Sequence, residues 1–183
     1  VLRQGVDQTE PFVRLFWISR PDRTGRSVRG MFNRIRIHSV MVLDQDEAIE
    51  FYVGKLGFQV EADVDLGFMR WLTVVLPSDP EREILLEVPG PPSQSEEVAA
   101  QLRDLVTKGA MGVAAILTTD DCQKTYDELS AKGVEFTEKP TPQPYGVDCA
   151  LRDPFGNHIR ITQPAAGPVE VTEEDKARWR GDA

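Results

Sequence analysis

The feature that most constrains this chain is an internal repeat at a spacing of 76 residues. Two aspartates that can open a helix lie at that offset (120 − 44 = 76), as do two glycines that can close one (133 − 57 = 76). The same shift places Val60 on Phe136. Around these anchors the element order repeats. Asn33 to Val42 is β-branched or apolar without Gly or Pro and predicts a strand. Asp44 or Asp46 can then cap a helix with Ala48, Ile49, Phe51, Tyr52 and Leu56 as its apolar stripe, ended by Gly57. Three β-rich runs follow, GFQVEADV, FMRWLTVVLP and REILLEVP, separated by Leu66-Gly67 and Ser78-Asp79-Pro80 turns. The order is βαβββ.

After the breaker Pro89-Gly90-Pro91-Pro92, SEEVAAQLRDLVTKG predicts a capped linker helix over 95–108, its stripe at Val98, Leu102 and Leu105. The first order then returns: MGVAAILTT as strand, DDCQKTYDELSAKG as helix, and VEFTEKP, YGVDCALRDP and NHIRITQP as strands. One βαβββ unit leaves a sheet edge unpaired and a face uncovered, a costly state that a second copy relieves. The expected fold is α+β, two paired βαβββ modules forming an open, cup-shaped mixed sheet. The modules cover about 33–89 and 111–164 of a domain spanning 31–165. Residues 166–183 read as a tail packed on the body or on a partner, with a short helix that Thr172 can cap and that carries Trp179.

With 30 acidic and 21 basic residues the net charge is −9, which argues against a nucleic-acid-binding surface over the body. No apolar run approaches the about 20 residues of a membrane span, so no membrane partner is expected. Up to Arg36 there are eight arginines against Asp7, Glu10 and Asp22 (8 − 3 = +5), which leaves −14 for the rest. Residues 1–30 are expected to be a flexible Arg-rich extension; a transit-type or anion-binding arm is the other reading. No secretory apolar core precedes a small-residue cleavage site, and the expected location is cytoplasmic. Cys122 and Cys149, without a paired CxxC, are expected to be reduced thiols.

DQDEAIEFYVGKLGF with RWLTVVLPSDP and ILLEVP resembles the first module of the vicinal oxygen chelate superfamily. LTTDDCQKTYDELSAKGVEF with DPFGNHIRI resembles its second, and the likeness runs from about Arg34 to Gln163. That superfamily includes glyoxalase I, extradiol dioxygenases, epimerases, fosfomycin-inactivating thiol transferases and bleomycin-resistance proteins that only bind their drug. Its fold implies little about which activity is present.

The resemblance also implies four positions for a divalent ion, on the first and fourth strands of each module, needing His nitrogens and carboxylate oxygens that converge. Glu87 matches a ligand carboxylate. The second carboxylate position falls on Arg160 and the second histidine position on Ala114, which has no donor atom. The remaining position is Ile37 or His38, according to the spacing taken before the helix, and one residue of slip turns a strand side chain to the other face. Arg160 opposes a dication and would pair instead with Glu87 or an anionic ligand. His158 shares strand parity with Arg160, so His38, Glu87 and His158 form a conceivable rearranged triad; a lone strand histidine is more often a hydrogen-bonded structural residue. Trp71 and Tyr145 are candidate aromatic walls, with Phe68 more readily assigned to core packing.

These readings make Glu87, Arg160, His38, His158, Trp71 and Tyr145 the candidate ligand-binding set. No cofactor is expected, and a divalent metal is left open. The expected function is metal-free binding of a small organic ligand, by a homodimer as the resemblance implies. The alternatives are a metal-dependent lyase, isomerase or dioxygenase, and a scaffold whose arginine-rich arm binds an anionic partner.

Overall fold

A computed structural model describes residues 31–32 and 34–181. The extension 1–30 and Asn33 lie outside the described residues, and so do the readings placed on them. The first module contains β1 (Ile37–Met41), α1 (Gln45–Ile49) continuing as a π-helical segment (Glu50–Lys55), β2 (Gln59–Asp65), β3 (Arg70–Leu76) and β4 (Asp79–Glu87). Then come α2 (Glu96–Thr107), the second module of β5 (Val113–Thr118), α3 (Cys122–Ala131), β6 (Phe136–Gln143), β7 (Gly146–Arg152) and β8 (His158–Pro164), and finally α4 (Glu173–Arg180).

Each module builds a four-stranded mixed sheet, β1-β4-β3-β2 and β5-β8-β7-β6. In both, the first strand runs parallel to the fourth and the remaining pairs are antiparallel. The duplication is thus realised as two open sheets, with no ladder joining them among the described residues. What unites the modules is a single cluster of buried side chains, from Val40, Tyr52 and Leu86 in the first to Leu151, Phe155 and Ile161 in the second.

The repeat is exact at the glycines and displaced by one residue at the caps. Gly57 and Gly133 both adopt the positive φ that closes a helix cheaply only with glycine. The N-caps are Asp44, accepting from the Asp46 and Glu47 amides, and Asp121, accepting from Lys124. Cap to glycine is therefore 57 − 44 = 13 residues in one module and 133 − 121 = 12 in the other. The π-helical segment takes up the additional residue, as such insertions commonly do.

One boundary and two burial readings differ from expectation. The β3–β4 turn is tighter, with Leu76 already paired to Asp79. On α2 the inward residues are Ala99 and Val106, whereas Val98 and Leu105 are exposed. The apolar stripe read there does not face the core. Phe68 is not a core residue either: it is 63 % exposed in the turn before β3.

Contacts between modules gather at a few points. The buried Tyr52 hydroxyl donates to Asp153 Oδ2 at 2.9 Å, and Asn157 Nδ2 donates to the Met41 carbonyl at 2.7 Å. Asp153 Oδ1 accepts the amides of Phe155, Gly156 and Asn157, which shapes the DPFGN turn. Burial, with the Asp153 carboxylate beside it, raises the Tyr52 phenol far above its ordinary value. Cys122 and Cys149, distant in sequence, meet in the core as free thiols 3.5 Å apart, each raised above its ordinary pKa first by desolvation.

Candidate functional site

Strand parity separates two faces in each module. In the first, Val40, Leu72, Val74, Ile84 and Leu86 join the core under α1. The register pairs His38 with Ile84 and Met41 with Glu87 without a bulge. Ile37, Ser39 and Met41 therefore share the helix-free face with Glu83 and Glu87, and so does Trp71 on β3. His38 points to the opposite side, at an exposed strand end. This register puts Ile37, and not His38, on the helix-free face.

In the second module Cys149, Leu151, Ile159 and Ile161 face the core. Glu138, Ala150, Arg160 and Ile116 form one cross-strand row on the helix-free face, beside Asp148, Thr162 and Thr118 in the next. Thr162, paired with Thr118, holds the place that Glu87, paired with Met41, holds in the first module, and Arg160, paired with Ile116, lies two positions earlier on the same face, where the first module has Leu85. Ala114 falls at the bulge between Val113 and Ala115 and packs against the core.

Arg160 does not pair with Glu87. Its Nε donates to Asp148 Oδ2 at 2.7 Å, and its Nη2 donates to the same oxygen and to Glu138 Oε2 at 3.0 Å. Its Nη1 reaches Glu138 Oε1 at 3.4 Å. Four of the five guanidinium N–H bonds are thus directed at two carboxylates, which leaves one for a ligand. Asp148 is only 1 % exposed; its Oδ1 accepts from Thr162 Oγ1 at 2.7 Å, and the Tyr145 hydroxyl approaches Oδ2 at 3.4 Å. Desolvation and the Asp148 charge raise the Tyr145 phenol, so it stays a neutral donor.

His158 shares this face, between Arg160 and Arg152 along the strands; desolvation first, then those two cations, lowers its pKa. Glu87 has no side-chain hydrogen-bond or ion-pair partner among the described residues. Trp71 lies half-buried on the same face, opposite Val64. Two residues further along that face, Thr73 Oγ1 is the one buried side-chain polar atom without a partner among the described residues.

The structure thus unites Arg160 with Tyr145 through Asp148, keeps Glu87 with Trp71, and turns His38 away from both. Of the four positions at which the resemblance expects metal ligands, those at Ile37, Ala114 and Arg160 carry no side chain suited to ligate a cation, and Arg160 is already bonded to two acids. No group of three His, Cys, Asp or Glu side chains that could hold a metal ion occurs among the described residues. Asp148, Glu138 and Thr162 went unnoticed in the sequence. The signal was an acid at alternating parity inside YGVDCALRDP, a strand otherwise apolar at its centre, with an arginine two strand positions deep in the next strand to be neutralised.

Comparison with known proteins bears on this arrangement. Residues 32–161 match the model of the Glyoxalase/Bleomycin resistance protein/Dioxygenase superfamily. The uncharacterized protein YurT of Bacillus subtilis (strain 168) is 38 % identical over 131 residues, 71 % of this chain and 98 % of that protein. Among solved structures, UcmS2 is 38 % identical with a TM-score of 0.69, covering 73 % of this chain and 99 % of its own. TnmS3, an antibiotic binding protein from Streptomyces sp. CB03234, is 27 % identical with a TM-score of 0.60, covering 74 % and 99 %.

Proposed function

This chain belongs to the glyoxalase/bleomycin resistance protein/dioxygenase superfamily, and from that premise we propose that it is a small-molecule-binding protein of the antibiotic-sequestering type, working without a divalent metal. The observation that carries this reading is the Arg160–Asp148–Glu138 cluster on the helix-free face of the second module, with Arg160 at the position where the resemblance expects a ligand carboxylate. A guanidinium between two carboxylates is a rigid hydrogen-bonding platform; it neither coordinates a cation nor has charge to spare for an anion. The similarity to an antibiotic-binding protein supports the same direction.

The face favours a planar ligand that is neutral or cationic. Trp71 and Tyr145 supply aromatic surface, and Glu87, unpaired among the described residues, is able to accept a hydrogen bond or neutralise a positive group. The proposal places the ligand against the helix-free faces of the modules, in a cytoplasmic homodimer. Glu87, Arg160, Trp71 and Tyr145 act there, with His158 as a neutral neighbour and His38 outside the contact. A metal-dependent lyase, isomerase or dioxygenase is the competing reading, favoured only by the availability of Glu87.

Daunorubicin, a planar cationic antibiotic, serves as the test ligand in calorimetric and thermal-shift titrations. Binding is expected to be saturable and to stabilise the fold by about 2.7 kcal/mol at a hundredfold excess over Kd. The methylglyoxal–glutathione hemithioacetal and catechol, supplied with Fe, Ni, Zn or Mn, are expected to show no turnover. Near-stoichiometric bound metal after purification, together with turnover, would overturn the proposal.

A further inference from the structure

Helix α4 begins beyond the 32–161 stretch shared with the family, so the common fold does not account for it. It forms for local reasons. Thr172 and Asp175 make a reciprocal capping box, three acids occupy the first turn, Arg178 and Arg180 the last, and Gly181 closes it in the left-handed region. No residue of α4 is buried. Core packing therefore does not hold it in place.

Its contacts with the body converge on one end of the helix-free face. Trp179 Nε1 donates to Gln143 Oε1 at 3.2 Å, and the indole lies 6.2 Å from the Tyr145 ring, centre to centre and tilted by 42°. Gln143 ends β6 and Tyr145 lies in the turn that leads to β7, and the Tyr145 hydroxyl is the one that approaches Asp148. Trp179 is thus joined through Tyr145 to the Asp148–Arg160 cluster. It nevertheless stays 46 % exposed, which leaves a large aromatic surface in water beside the polar platform.

We propose that α4, which lies beyond the stretch matched to the family, is a ligand-binding element: Trp179 and Tyr145 form an aromatic rim on which a planar, neutral or cationic ligand rests, with Asp148 and Glu138 below it setting the charge preference. This rests on the reading of the helix-free face as the ligand site. The indole is oriented by its bond to Gln143, so little freedom is lost when a ligand covers its exposed half. Cationic ligands gain further from the π face.

The experiment uses the full chain with daunorubicin as probe. Affinity is measured for the wild type, Trp179→Ala and Trp179→Phe, while the Trp179 indole N–H resonance, assigned by its loss in Trp179→Phe, is followed through the titration. The expected result is an indole resonance that shifts along the same saturation curve as the probe. Trp179→Ala should weaken binding about tenfold, the loss that removal of one aromatic contact brings, with Trp179→Phe within about threefold of wild type. Unchanged affinity in Trp179→Ala with a stationary indole resonance would overturn the role of α4 and leave the ligand face standing. A resonance that responds to protein concentration but not to daunorubicin would assign Trp179 to a second copy and overturn the role equally. Absence of saturable binding in the wild type would overturn both readings.

Discussion

Replacing Asp148 by Asn tests the physical centre of the candidate site. The side chain is fully buried and receives the Arg160 Nε at 2.7 Å, the Arg160 Nη2 and the Thr162 hydroxyl at 2.7 Å. Unit charges about 4 Å apart attract by about 4 kcal/mol at an effective dielectric of about 20. Arg160 keeps 21 % of its side chain in water, which brings the expected cost to about 3 kcal/mol, the low end for breaking a buried pair. The asparagine keeps one oxygen to accept from the guanidinium, but its NH2 then faces Thr162 Oγ1, which must turn from donor to acceptor. At this size about 3 kcal/mol corresponds to a fall in Tm of about 6–12 °C. Glu138→Gln acts on the same guanidinium from a position 52 % exposed and should cost under about 1 kcal/mol. Urea denaturation at pH 7.5, followed by circular dichroism, measures both, and Asp148→Asn/Arg160→Gln completes the cycle with an expected coupling of about 2 kcal/mol. An Asp148→Asn cost no larger than that of Glu138→Gln would refute the argument that burial makes this pair matter.

Gly156→Ala should destabilise by about 3 kcal/mol or more, because φ is +109° and an added Cβ would lie 2.4 Å from the Val106 carbonyl oxygen of α2; equilibrium unfolding checks it, and a loss under about 1 kcal/mol contradicts it. Tyr52→Phe removes a buried bond between modules and should cost about 1.5 kcal/mol by the same assay. His158 is held below its ordinary pKa, so the unfolded chain takes up that proton first; stability is fully present above about pH 6.5 and falls as the pH drops through the lowered value. Unfolding free energies measured from pH 7.5 to 5.5 should show a shallower acid slope in His158→Asn than in the wild type, and identical slopes would count against the burial argument.

Much of the fold was legible because its signals are local. The paired glycines, the apolar stripe at Ala48, Phe51 and Tyr52, and the Thr172 cap each follow from contacts within a few residues. The π-helical segment was not legible, since one surplus residue between cap and glycine can be absorbed as a π turn or by a longer loop. For the candidate site the sequence singled out Arg160 but not its partners. Asp148 and Glu138 lie 12 and 22 residues away in the chain, on strands whose pairing register no local pattern specifies.

From sequence alone came the duplication, the α+β class, the capped helix at the C-terminus and the substitution of Arg160 and Ala114 at positions where the resemblance expects metal ligands. Only the tertiary structure decided that His38 turns away from Glu87, that the two cysteines touch, and that Trp179 stands over Tyr145. The division has one physical cause. Helix caps and hydrophobic period are written into neighbouring residues, whereas which face a strand residue occupies, and what charge meets it there, depends on cross-strand register set by the whole sheet.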